Sequence, residues 1–254
     1  MPSPMRLLFL VNDVTSPPGV LLEEAQGAGA ECDVRLVHYG FGDPATPLAP
    51  VPEAAEGYDG LVVMGGPMGV YEAAQYPFIE ETRALIRRFH ARAKPIMGVC
   101  LGSQLVASAF GAEVRKMEGP DEFGFLPQTW LPAAADDALL HDAEPGIGLT
   151  QWHQDTFEIP QGAVQLSTRT TCRNQSFRIG ATTWAFQFHL EMTRPTLEGW
   201  IAARAKQKDV PAGAIADEIG PIDKVLAPQQ AFTRRVMGRW LALAAASGPR
   251  IGEK

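Results

Sequence analysis

Cys100 stands between Gly98 and Gly102, after the apolar run Ile96-Met97 and before an apolar stretch that opens at Leu101. Glycines two residues to either side of a thiol suit a sharp strand-to-helix turn, because strand and helix approach closely there. Such a turn lifts its central side chain clear of the sheet. It also aims backbone N–H groups of the following helix at whatever that side chain attacks. The N-terminal end of a helix favours a thiolate over a thiol. A lone cysteine after an apolar run is more often a core residue. The nucleophile reading of Cys100 therefore depends on whether the chain supplies a base, a group to orient that base and a second oxyanion donor.

His189-Leu190-Glu191 offers the first two. On an extended segment the side chains at i and i+2 fall on one side, so Glu191 is placed to hold the His189 imidazole in the tautomer that accepts the thiol proton. A structural histidine beside a surface glutamate is the bland alternative. His153, in Gln151-Trp152-His153-Gln154-Asp155, is the rival base; His38, His90 and His141 have weaker surroundings, with His90 among arginines on a predicted helix. Gly65-Gly66-Pro67 supplies the donor: the N–H of Gly66 is unscreened by a side chain, and it pairs with the N–H of Leu101, the residue after the thiol. A phosphate loop is the competing reading of these glycines. It lacks GxxxxGK[ST], and Pro67 removes an N–H from any cradle. A metal site from Cys100, His153, His189 and Glu191 is not favoured by their spacing.

The elements that would position these groups alternate. Continuous or alternating apolar runs at 5–11, 33–38, 60–64 and 95–99 read as strands, and amphipathic stretches at 20–30 and 78–93 and an apolar one at 101–111 read as helices. Strand–helix alternation predicts an α/β fold with a mostly parallel sheet wrapped by helices, whose active site lies at the carboxyl ends of the strands. Gly65 and Cys100 both fall at such ends. The runs at 114–117, 125–130, 147–151, 164–168 and 182–188 have little helix between them and predict an antiparallel extension of that sheet. A helix is expected over 195–205, with Pro195 in its first turn. Residues 206–229, with Pro211, Gly213, Gly220, Pro221 and Pro228, read as a linker with one short helix at most. Phe232, Val236, Trp240 and Leu243 then recur at helical spacing. That last helix either packs on the domain or docks a partner. The predicted units are a domain at 1–205 and a linker with a C-terminal amphipathic helix at 206–254.

Taken together, Gly65-Gly66-Pro67, Gly98-Val99-Cys100-Leu101-Gly102-Ser103-Gln104 and Gln187-Phe188-His189-Leu190-Glu191 resemble the class I, or triad, glutamine amidotransferases, over about residues 5–200. Within that family the chain looks closest to stand-alone relatives of the GMP synthase amidotransferase domain. The resemblance implies an open flavodoxin-like sheet with helices on both faces and a nucleophile elbow. It implies that Cys100 attacks the side-chain amide of glutamine, that His189 takes the thiol proton and passes it to leaving ammonia, and that Glu191 orients His189. Gly66 and Leu101 would hold the oxyanion. Gln104, one turn past Cys100, and the segment Asn174-Gln175-Ser176-Phe177, through Asn174, Ser176 and Phe177, would grip the glutamine. The family usually has proline between its histidine and glutamate, where this chain has Leu190. No metal or organic cofactor is implied.

Composition bounds the alternatives. The 254 residues are 46% hydrophobic and 20% charged, enough for a real core, and the net charge of −7 argues against a nucleic-acid partner. No apolar run approaches the ~20 residues that span a bilayer. Three cysteines, Cys32, Cys100 and Cys172, make neither a disulfide framework nor a CxxC site, so reduced thiols and a cytoplasmic setting are expected. The roughly 50 residues after 200 are too few for a domain that consumes ammonia, so a separate ammonia-using synthetase subunit is the expected partner. Two other functions remain open from sequence: a stand-alone γ-glutamyl hydrolase or peptidase acting on other γ-glutamyl amides, and a non-catalytic regulatory module.

Overall fold

The computed structural model describes residues 4–39 and 48–247. The stretch from Phe41 to Glu56, with Pro44, Pro47, Pro50 and Pro52, reads in sequence as a surface loop, and its residues 41–47 lie outside the described residues. The chain runs β1 (Arg6–Val11), α1 (Gly19–Gly27), β2 (Glu31–Leu36), β3 (Gly60–Val63), α2 (Phe78–Ala91), β4 (Ile96–Val99) and α3 (Leu101–Ala109). It continues through β5 (Val114–Lys116), β6 (Glu122–Pro127), β7 (Thr129–Trp130), β8 (Gly148–His153), β9 (Asp155–Phe157), β10 (Val164–Thr168), β11 (Ser176–Ile179) and β12 (Thr183–Phe186). It closes with α4 (Arg194–Lys208), α5 (Ala212–Ile219) and α6 (Ile222–Ser247).

Eight strands form one sheet in the order β2-β1-β3-β4-β12-β11-β10-β7. The pairs β2/β1, β1/β3, β3/β4 and β4/β12 are parallel. The pairs β12/β11, β11/β10 and β10/β7 are antiparallel. This is the predicted open, mostly parallel flavodoxin-like α/β sheet with its antiparallel extension. The central strands are apolar at every position because both faces are covered. Leu7, Phe9 and Val11 of β1 face a core shared with Leu21 and Ala25 of α1 and with Phe232, Val236 and Trp240 of α6. Leu8 and Leu10 face the opposite core, with Ile79, Leu85, Ile86 and Phe89 of α2 and Leu105 and Val106 of α3.

Two parts differ from expectation. The strands read at 114–117 and 147–151 do not join the main sheet. Instead β5 pairs with β9, and β6 with β8, as two separate ribbons. The run at 125–130 is split between the β6/β8 ribbon and the edge of the main sheet, and it breaks just after Pro127, which has no N–H for a ladder. Residues 206–229 are mostly helix rather than linker. They hold the end of α4, all of α5 and the start of α6, which runs through Pro228. Ile215, Ile219 and Leu226 from this stretch form a third core with Met192, Leu197, Ile201 and Ala205. Burial of those side chains outweighs the single N–H that Pro228 removes from the ladder. The apolar stripe of α6 is buried within the molecule. Among the described residues no helix is long and apolar enough to cross a membrane.

Candidate active site

Cys100 caps β4 and opens α3 with φ 52° and ψ −112°, a conformation that an L-residue holds only when its surroundings impose it. They do so from both sides. Its N–H donates to Phe186 O at 2.8 Å. Its carbonyl accepts the Ser103 N–H at 2.9 Å, the Gln104 N–H at 3.2 Å and the Ser103 hydroxyl at 2.6 Å. The flanking glycines are required by close approach. A Cβ at Gly98 would lie 2.5 Å from Gly102 O, and a Cβ at Gly102 would lie 2.0 Å from Val63 O. Cys100 is 6% exposed.

β12 lies beside β4 with Phe186 opposite Val99, so the chain leaving β12 reaches His189 at the same end of the sheet as Cys100. His189 and Glu191 are 2% and 1% exposed. Their Nδ1 and Oε1 atoms are 2.7 Å apart. An ionised carboxylate only accepts, so Nδ1 carries the proton of this bond and Nε2 is left to act elsewhere. A Cβ placed at Gly65 would touch His189 Cε1 at 3.3 Å and Cys100 Cβ at 3.4 Å, so imidazole and thiol close around that glycine. Burial would lower the affinity of the imidazole for a proton. The Glu191 carboxylate and, next, the Cys100 sulfur outweigh it and raise the His189 pKa well above its ordinary 6.5. Gly66 packs on the Leu101 side chain, since an added Cβ there would meet Leu Cδ2 at 3.0 Å. Leu101 is the first residue of α3, where backbone N–H groups have no partner within the helix.

Sequence reasoning missed two neighbours of the pair. Gln187 Nε2 donates to Cys100 Sγ at 3.9 Å, while Gln187 Oε1 accepts from Gln104 Nε2 at 3.2 Å. The only sequence signal for Gln187 is its i−2 relation to His189. Trp200 on α4 sets its ring edge-to-face on the His189 imidazole, 4.8 Å between centroids, and donates its indole N–H to Thr15 O at 2.7 Å. No local pattern announces that contact.

Other expected residues lie elsewhere. Gln104 is buried one turn from Cys100, with its amide on Gln187. The Asn174 amide donates to Phe157 O at 2.8 Å, Ser176 shares a 2.6 Å hydrogen bond with Ser167, and Phe177 packs edge-to-face on Phe157. These three side chains are thus committed away from the elbow. It is β8 that reaches the site: Thr150 O accepts the His189 N–H at 2.9 Å. His153 is not part of the Cys100 pair. Its Nδ1 faces Asp155 O at 3.0 Å, and its Nε2 faces Gln151 Oε1 at 3.0 Å and Glu122 Oε2 at 3.2 Å. Glu122, His153 and Cys172 bring possible metal-donor atoms within 4.8 Å of one another. Each of them is already hydrogen-bonded, with Arg169 and Thr171 on Glu122 Oε1 and Thr156 on Cys172. His90, among arginines on α2, shares a 2.9 Å hydrogen bond with the Thr183 hydroxyl.

A thiol on a strained strand–helix turn, facing a buried imidazole–carboxylate pair, can perform nucleophilic acyl transfer. The model of the class-I glutamine amidotransferase family matches residues 23–202, and the chain belongs to that family. The chain is 28% identical over 201 residues to the glutamine amidotransferase-like protein YfeJ of Salmonella typhimurium, covering 78% of this chain and 80% of that one. It is 26% identical over 241 residues to the glutamine-hydrolysing GMP synthase of Aeropyrum pernix, covering 91% of this chain but 43% of the synthase. It is 30% identical over 170 residues to a gamma-glutamyl-L-1-hydroxyisopropylamide hydrolase of a Pseudomonas species, covering 62% and 52%. The solved structure of a glutamine amido transferase from Methylobacillus Flagellatus superposes with a TM-score of 0.79 at 26% identity, over 99% of this chain and 98% of that one. The chain thus spans less than half the length of that GMP synthase and about half that of the hydrolase.

Proposed function

We propose that this protein hydrolyses the γ-amide of glutamine through Cys100, His189 and Glu191. The observation that carries the reading is the buried imidazole of His189, bonded through Nδ1 to Glu191, with its Nε2 unpaired and its ring packed with Cys100 around Gly65 at the elbow. The sulfur attacks the γ-carbonyl carbon and an S–C bond forms. The N–H groups of Gly66 and Leu101 receive the charge that develops on the carbonyl oxygen. His189, having taken the thiol proton, gives it to the nitrogen as the C–N bond breaks, and ammonia leaves. Water, deprotonated by His189, then opens the γ-glutamyl thioester to glutamate and restores the thiol. Gln104 contributes from α3 to holding the substrate. Asn174, Ser176 and Phe177 act at most through their backbone, since their side chains are engaged elsewhere. Residues 1–205 carry the reacting groups of the amidotransferase domain, the C-terminal residues from 206 pack onto its core through α5 and α6, and a separate synthetase subunit receives the ammonia.

A second reading keeps the same triad and changes the leaving amine. The Pseudomonas relative, named for hydrolysis of a substituted γ-glutamyl amide, favours it, as does an aromatic ring, Trp200, against the imidazole that would protonate that amine. One experiment separates these readings and tests both. The protein is mixed with glutamine and with γ-glutamyl amides of larger amines, quenched in acid, and the Cys100 peptide is analysed by mass spectrometry. A γ-glutamyl adduct on Cys100, absent in Cys100→Ala, is expected. Every substrate leaves the same γ-glutamyl group on the sulfur, so the amine released fastest from the mixture, ammonia or a larger one, names the leaving group. No adduct and no amine release from any substrate would sink both readings and leave a non-catalytic module.

A further inference from the structure

The segment His189–Met192 follows β12 as irregular backbone, and its residues are almost wholly buried. Buried carbonyls outside regular structure need partners, and Leu190 does not lock its own φ as a proline would. All four carbonyls are held, three of them by one face of α6. Gln229 Nε2 donates to His189 O at 3.0 Å, the Thr233 hydroxyl to Leu190 O at 2.7 Å, and Gln230 Nε2 to Met192 O at 3.0 Å. The fourth, Glu191 O, accepts the Val20 N–H of α1 at 3.0 Å. Gln229 also reaches the other flank of the histidine: its Oε1 accepts both the N–H and the hydroxyl of Thr150, at 2.8 and 2.9 Å. Thr150 is the residue whose carbonyl takes the His189 N–H.

Gln229 and Thr233 are fully buried on a helix whose next turns carry Phe232, Val236 and Trp240 into an apolar core. Burying an amide and a hydroxyl is unfavourable unless they are bonded, and apolar residues of similar size would satisfy packing alone. These two are spent on the backbone that carries the base. The helix lies beyond residue 202, where the match to the family ends.

We propose that Gln229 and Thr233 are positioning residues for His189, so that the C-terminal helix sets the approach of the imidazole to Cys100. The proposal rests on His189 acting on Cys100, but not on which amide is cleaved. The test therefore reads the thiol directly. Iodoacetamide alkylation requires a thiolate, and its rate at Cys100 is followed on the Cys100 peptide by mass spectrometry at neutral pH. His189→Ala reports what the imidazole contributes. Gln229→Met and Thr233→Val keep shape and remove the bonds, Thr233→Ser restores a hydroxyl, and Val236→Ala is a packing control on the same helix. Unfolding midpoints confirm that each variant is folded at the assay temperature. Alkylation should slow by about tenfold in His189→Ala, and by about three- to tenfold in Gln229→Met and Thr233→Val, since displacing a supporting group by ~1 Å is enough to weaken such a pair. Thr233→Ser should recover the rate, and Val236→Ala should keep it. Unchanged rates in Gln229→Met and Thr233→Val beside a slowed His189→Ala overturn this proposal alone. An unchanged rate in His189→Ala overturns the catalytic pair and this proposal together. Equal slowing in Val236→Ala reduces the effect to general packing and overturns it as well.

Discussion

His189 is buried and yet held towards its charged form, and that combination depends on a carboxylate two residues away. Burial alone would favour the neutral ring. Because the folded pKa is raised, the pair contributes stability that is fully present below 6.5 and is lost as pH rises through the folded value. The same sign governs activity: the acid that protonates the leaving amine persists well above pH 6.5. Glu191→Gln removes the larger of the two raising influences. The alkaline limb of the kcat/KM profile should then move down towards 6.5, with kcat/KM reduced by about 10- to 100-fold. An alkaline limb that stays in place in Glu191→Gln would assign the raised affinity to Cys100 alone. Cys100, His189 and Glu191 are legible in the chain because a glycine-flanked thiol and an i, i+2 pair are local patterns. Trp200 and the Thr15 carbonyl that anchors it are not, since their meeting depends on how α4 folds back over the loop after β1.

The elbow is an element made by close approach, and its tightest point is not at the cysteine. A Cβ on Gly102 would sit 2.0 Å from Val63 O, which is backbone of the neighbouring strand and cannot swing aside. Gly102→Ala must therefore separate α3 from β3 or distort both. A loss of about 3 kcal/mol or more in urea unfolding is expected, together with loss of Cys100 reactivity. Gly199→Ala is the contrast. This exposed glycine lies within α4 with nothing near its missing Cβ, and the same substitution should stabilise by about 0.5–1 kcal/mol. Equal effects at the two sites would refute the close-approach account. The parallel half of the sheet is readable in sequence for a related reason. Strands covered on both faces are continuous apolar runs, and glycines mark where they end. The β6/β8 and β5/β9 ribbons are not readable as such. Lys116, Glu122 and Asp155 occupy strand positions there because of partners distant in sequence. Pro228 hides the start of α6 in the same way, since the burial that overrides it is tertiary.

At the scale of the molecule, one buried carboxylate ties three segments together behind the site. Glu122 on β6 bonds His153 on β8, Arg169 and Thr171 after β10, and Gln175 before β11. From Gln175 the chain of contacts continues to the elbow's neighbour, because the Gln187 N–H donates to Gln175 O at 2.8 Å. Burial opposes the charge on Glu122, but bonds to His153, Thr171 and Arg169 overcome it and lower its pKa from 4.5 to about 2. A depressed carboxylate contributes stability that is present above its unfolded value and lost as pH falls through the folded one. Native stability should therefore decline between about pH 4.5 and pH 2, by a Glu122 share on the order of 3 kcal/mol. Glu122→Gln should flatten that part of the acid dependence. It should also lower stability at neutral pH by about 3–5 kcal/mol, because Arg169 is left beside a buried site with no counter-charge. Urea midpoints measured across the acid range for both proteins check this. A variant that keeps the full acid slope would move the titrating group away from Glu122. Because Gln175 links this network to Gln187, and Gln187 to the thiol, the flattened variant should also alkylate more slowly at Cys100, coupling acid stability of the ribbons to reactivity at the elbow.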